Sequence, residues 1–104
     1  MNKLTAELEI EQEIQSKGLN ATRLSPFDID NTIVGEDYYV FPNTAFTVCL
    51  LTLKNGFTVS GKAASASLEN FDAEIGRQIA KDNARNKIWA LEGYLLKQKL
   101  FDSK

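Results

Sequence analysis

The sequence predicts an α+β fold: N-terminal helices, an antiparallel β-hairpin or three-stranded sheet, and a long C-terminal helix packed on the sheet. Three observations predict it. Two β-rich runs flank Asn55-Gly56, the dipeptide best suited to a tight hairpin turn. The last third carries apolar residues at intervals of three and four, the period of an amphipathic helix. The first seventeen residues are mostly good helix formers, with no Gly or Pro. A length of 104 residues supports a single domain. Within it, 1–35 reads as a helical N-terminal part and 36–104 as hairpin plus long helix.

Leu4 to Lys17 forms the first helix, with Gly18 at a plausible C′ position. Leu4, Leu8, Ile10 and Ile14 cover one side of it loosely. Glu7, Glu9, Glu11 and Glu13 alternate, so they spread over several faces and form no paired-carboxylate catalytic centre. After a connector over 19–24, Ser25 caps a second helix whose N1 residue is Pro26, where a missing N–H costs nothing. Asp28 suits the positive end of the helix dipole. Phe27, Ile29, Ile33 and Val34 give this helix an apolar stripe, and Gly35 ends it.

Tyr38 to Phe41, before Pro42, forms a third strand or an edge extension. The hairpin pairs 45–54 with 57–61, with Asn55 and Gly56 both at positive φ in a type I′ turn. Phe57 and Val59 share one face, Thr58 and Ser60 the other. Lys62 to Leu68 is a small, polar connection. The long helix follows, capped by Asn70 or a neighbour, with Asp72 and Glu74 in its first turn and Lys97 and Lys99 in its last. Phe71, Ile75, Ile79, Ile88, Leu91 and Leu95 mark its apolar face. Trp89 is expected to fill the core where the helix crosses the hairpin. Gly76 and Gly93 each cost a helix ~1 kcal/mol relative to Ala, so they need a reason. Gly76, Ala80 and Ala84 at i, i+4, i+8 form a flat strip for close approach of another backbone, and Gly93 marks a bend.

Composition closes several chemistries. There is no His, which removes Ser-His and Cys-His catalysis and imidazole-held metals. A single cysteine, Cys49, removes any intrachain disulfide and any cysteine-cluster zinc site. Set in an apolar strand, Cys49 reads as a buried, inert thiol. Asp28, Asp30, Glu36 and Asp37 could offer carboxylates to Mg²⁺, but no Asp-x-Asp-x-Asp-Gly loop or P-loop frames them. The expectation is therefore a non-enzyme with no metal and no cofactor. A net charge of −2 and a pI near 5.1 argue against a general nucleic-acid binder. Charge is unevenly spread: residues 1–44 hold three bases and eight acids, residues 45–104 nine bases and six acids. With no apolar h-region before its first acids and no run of ~20 apolar residues, the chain is expected in a reducing cytoplasm.

Phe46-Thr47-Val48-Cys49 and Leu53-Lys54-Asn55-Gly56-Phe57-Thr58-Val59-Ser60-Gly61 form one phrase. At fixed spacing there follow Asn70-Phe71-Asp72-Ala73-Glu74-Ile75-Gly76-Arg77, Ala80, Asn83-Ala84, Lys87-Ile88-Trp89 and Leu91-Glu92-Gly93-Tyr94-Leu95-Leu96. This wording, over about 36–100, resembles the small tailed-phage protein family named after gene products 49 and 66. The resemblance implies a phage accessory protein acting in the cytoplasm of the infected host, and it implies no particular activity. The family often has Pro before Leu-Glu-Gly. Ala90 stands there in this chain, which favours a continuous helix.

Arg77, Lys81 and Arg85 recur at i, i+4, i+8 and are expected to stack along one helix face as a grip for phosphates. Glu74 and Asp82 nearby would equally make them ordinary surface ion pairs. Asn83 can bond a base edge or ribose, or join a helix contact, and Lys87 adds a further polar group. Tyr38 and Tyr39 are the aromatic candidates for a pocket rim. A small sheet under one helix, together with the Gly76/Ala80/Ala84 strip, favours a closed homo-oligomer. The leading expectation is therefore a protein that sequesters a small anionic host molecule, such as a nucleotide immune signal, in pockets between subunits. The ligand-binding residues would be Arg77, Lys81, Asn83, Arg85, Tyr38 and Tyr39. The alternative is an interaction protein whose acidic N-terminal helix docks onto and inhibits a host protein.

Overall fold

A computed structural model of the chain describes residues 3–19 and 21–104. Its elements are helix α1 (Lys3–Ser16), helix α2 (Pro26–Asn31), strands β1 (Ile33–Val40), β2 (Phe46–Leu53) and β3 (Thr58–Ala64), a short 3₁₀ turn (Leu68–Asn70) and helix α3 (Ala73–Asp102). The strands form an antiparallel sheet in the order β1-β2-β3, and α3 packs on one face of it. The expected α+β architecture with a third strand is present. In the connector before α2, Asn20 lies outside the described residues.

Several elements differ from the sequence expectation. The second helix stops at Asn31, and Ile33, Val34 and Gly35 begin β1 instead of finishing a helical stripe. Its start is as expected: the Ser25 hydroxyl accepts from the Asp28 amide and Asp28 returns a bond from the Ser25 amide, a capping box. The hairpin loop is one residue longer than a type I′ turn. The Gly56 amide donates to the Leu53 carbonyl and the Leu53 amide to the Phe57 carbonyl, so Lys54, Asn55 and Gly56 form the loop. Among them only Gly56, at φ 88°, has positive φ, the pattern of a type I turn followed by a G1 bulge. Strand β3 also continues through Lys62 and Ala63 to Ala64, where small residues pair with Thr47 and Phe46.

Helix α3 runs unbroken through Gly93, so Gly93 does not divide it into two helical pieces. The Asp72 carboxylate caps it by accepting from the Ile75 amide, so Asp72 is the cap itself and not a first-turn residue. The core joins the inward face of the sheet (Cys49, Leu51, Leu53, Val59) to Ile29 of α2 and to Ala80, Ala84 and Ile88 of α3. Ala80 and Ala84 are fully buried against the sheet, so the small-residue strip meets this chain's own sheet and is no open surface for a partner. Gly61 explains the closeness. A Cβ there would sit 2.2 Å from the Ala80 carbonyl oxygen and 2.3 Å from the Ala84 nitrogen. Glycine in the strand and alanine in the helix together let two backbones touch. Gly76 likewise leaves room for Thr47, whose Oγ1 would lie 3.0 Å from a Cβ.

Candidate functional site

The six predicted ligand-binding residues are dispersed. Residues four apart on an α-helix advance about 40° around it, so a row of three such positions winds across the surface. Arg77 is exposed near the start of α3. Lys81 reaches over the sheet and pairs with Glu36 of β1 at 3.0 Å. Arg85 turns away from the sheet into the space beneath α1 and α2.

There Arg85 is 6% exposed. Its Nε donates to Asp30 Oδ1 at 2.6 Å, its Nη1 to both oxygens of Glu7, and its Nη2 to the Pro26 carbonyl at 3.3 Å. Burial by itself would lower the Arg85 pKa, but the carboxylates of Glu7 and Asp30 outweigh it and hold the guanidinium charged. Trp89 belongs to the same cluster: its indole Nε1 donates to Glu7 at 3.2 Å. Trp89 packs against the core as expected, half-buried, with its indole edge turned to α1. Arg85 is structural, tying three helices together.

Glu7 and Glu11 of α1 both turn inward, Glu11 to a two-oxygen grip by Arg23 at 2.6 Å. That grip, followed by the Gln15 amide, holds the Glu11 carboxyl below its usual range. Two of the four acids that might have presented α1 to a host partner therefore attach it to its own chain.

Tyr38 and Tyr39 lie on opposite faces, because side chains alternate along a strand. Tyr38 sits on the helix side, half-buried against the core, and donates its hydroxyl to Glu36 at 2.5 Å. Burial first, then this bond, pushes the Tyr38 pKa up. The bond from Tyr38 and then that from Lys81 pull Glu36 below the usual carboxylate range. Tyr39 lies on the outer face, edge-on to Phe41 at 4.9 Å between centroids, and Phe41 meets Phe46 at 5.6 Å.

This outer face ends in a cationic corner. Lys62 Nζ stands 5.9 Å from the Phe46 ring centroid. Just past the edge of β3, Asn83 Nδ2 donates to the Lys62 carbonyl at 2.9 Å and Lys87 Nζ to the Ser60 carbonyl at 2.5 Å. These helix side chains satisfy outward carbonyls of an edge strand, which closes that edge to further strand pairing. The bonds also hold Asn83 and Lys87 beside an open recess of about 490 Å³ whose walls include Phe46, Val48, Ser60 and Lys62. Two ammonium groups, an amide and an aromatic ring converge there. Asn83 was legible as a candidate from sequence. Phe46 and Lys62 escape a sequence reading in which the return strand ends at Gly61, whereas β3 runs to Ala64. Extending the hairpin register would have placed Lys62 opposite Val48 and Ala64 opposite Phe46.

Among the described residues no group of three or more Cys, Asp or Glu side chains converges to hold a metal ion, and no helix is long and apolar enough to cross a membrane. Cys49 is a free, buried thiol whose pKa is pushed up chiefly by burial.

Compared with known families, residues 24–100 match the Phage protein (N4 Gp49/phage Sf6 gene 66) family. The matched region is most of the chain, from just before α2 to near the end of α3, and the chain belongs to this family. No curated protein and no solved structure matches it.

Proposed function

We propose that this member of the phage family is a non-catalytic binding protein that captures a small, anionic, ring-bearing molecule of nucleotide type at the β3 corner and so withdraws it from the host. The most specific form of the reading is sequestration of a nucleotide immune signal. The observation that carries it is the setting of Lys62 over Phe46, beside Lys87 and Asn83, around one open recess. A base or ribose-linked ring lies against Phe46 and its neighbours on the outer face, where stacking is worth ~1–3 kcal/mol per base. Phosphate oxygens meet the two ammonium groups. Lys87 gives one of its three protons to Ser60, which leaves two to donate. The recess is local and positive in a chain of net charge −2, which suits a small anion better than a long polyanion. The inward turn of Glu7 and Glu11 favours this reading over docking through an acidic α1.

Titration calorimetry against cyclic dinucleotides, cyclic trinucleotides and ADP-ribose derivatives tests it. At least one member of the panel binds, and the Lys62→Glu, Lys87→Glu double variant weakens that binding by tenfold or more, since each charge-assisted bond contributes ~1.5–3 kcal/mol. Folded protein that binds nothing in the panel, or a double variant that binds as well as the parent, overturns the reading.

A further inference from the structure

The two edges of the sheet are finished differently. At the β3 edge, Lys87 and Asn83 of α3 take the outward carbonyls of Ser60 and Lys62. Among the described residues the β1 edge has no such cover. Helix α3 packs on β2 and β3, and its Lys81 side chain reaches β1 only to take the Glu36 carboxylate, leaving the main chain alone. The register says which main-chain groups face out. The Phe41 amide donates to the Phe46 carbonyl, and the pairs Tyr39–Val48 and Asp37–Leu50 continue that ladder at every second residue. Asp37 and Tyr39 therefore bond β2, while Glu36, Tyr38 and Val40 turn their N–H and C=O groups outward. The free edge over 36–40 runs ~17 Å at ~3.4 Å per residue, with neither Pro nor Lys to blunt it.

We propose that this edge accepts an extended, basic segment of another protein as a fourth strand, with its basic side chains on the outer face and β-branched ones on the helix side. The main chain calls for a strand, because a row of N–H and C=O groups at every second residue is matched by another extended backbone. The charge calls for a basic one. Strand β1 carries Glu36 and Asp37 and no base, and the first 44 residues hold eight acids against three bases. Glu36 is already held by Lys81 and Tyr38. Asp37 is exposed and, among the described residues, forms no hydrogen bond or ion pair. It shares the outer face with Tyr39, whose ring is 55% exposed, so a Lys or Arg on the incoming strand meets a carboxylate and an aromatic ring together. On the helix side the half-buried Tyr38 and Val40 offer apolar contact. The same acids disfavour β1 of a second copy, which would bring four carboxylates onto one short edge. The recess at the β3 corner lies at the opposite edge of the sheet, and the inference stands whether or not that recess binds a nucleotide.

A short, dye-labelled peptide alternating Arg with Val tests it on the full chain. By fluorescence anisotropy the peptide binds with a Kd of roughly 100 μM or tighter, and its counterpart with Glu in place of Arg binds at least about tenfold more weakly. Asp37→Lys, at an exposed position, weakens binding of the Arg peptide roughly fivefold with helical circular dichroism unchanged. Amide exchange followed by NMR locates the peptide: the Glu36, Tyr38 and Val40 amides slow about tenfold or more on binding, because they gain partners. No binding at ~1 mM peptide, equal binding of the two peptides, or binding that leaves those three amides exchanging as before overturns the inference. So does an Asp37→Lys variant that holds the Arg peptide as tightly as the parent.

Discussion

The two ends of α3 use one helix for opposite purposes. From Ala73 to Ile88 it shows the sheet small residues, with Ala80 and Ala84 fully buried over Gly61 and Ile88 seated in the core. From Leu91 to Phe101 it shows water large ones. The first half folds the molecule, because close approach of backbones brings many weak contacts together in a densely packed interior. The second half adds helix without adding core, and it leaves large apolar side chains in water. Residue size along a single helix therefore separates the part that builds the core from the part that stays outside it.

Substitutions at the two ends should separate in the same way. The largest effect is expected at the crossing point. Gly61→Ala drives a methyl group into the Ala80 carbonyl and Ala84 nitrogen, backbone atoms that cannot swing aside. A loss of ~3 kcal/mol is expected, a fall in Tm of roughly 12–24 °C for a domain of this size. A thermal melt within a few degrees of the parent would mean that α3 does not press on the sheet as described.

Arg85→Gln comes next. It leaves Glu7 and Asp30 without their cation and frees the attachment of α1, for a loss of ~2–3 kcal/mol given that Asp30 is half-exposed. Urea denaturation measures the loss, and faster hydrogen exchange in α1 than in α3 locates it. Equal exchange rates in the two helices would show that Arg85 does not selectively hold α1. The smallest effect is expected at the far end. Tyr94→Ala shifts stability by less than ~0.5 kcal/mol in a urea melt because the ring is 72% exposed. A loss comparable with that of Gly61→Ala would erase the distinction between the two halves.

Much of the fold was legible in the residues. The capping box at Ser25 and Asp28 and the β-runs around Asn55-Gly56 rest on neighbours in the chain, and the structure contains them. Two element boundaries differ for a common reason. Ile33 and Val34 fit a helical stripe as well as a strand, and Lys62 to Ala64 are too small and polar to announce a strand without their partners Thr47 and Phe46. The candidate site was legible only in part. Asn83 and Lys87 were visible as polar groups on a helix, but Phe46 and Lys62 join them only once the hairpin register and the crossing of α3 are known.

By itself, the order of residues determined the central part of each helix and strand, the place of the hairpin, and which chemistries a chain without His and with one Cys can attempt. These depend on local backbone preference and on side-chain inventory. Only the tertiary structure decided what the cations do. Arg77, Lys81 and Arg85 are equivalent as a written row, yet one faces solvent, one reaches Glu36 and one is buried between Glu7 and Asp30. A helix turns by 100° at each residue, and the fold places a different environment on each side of it.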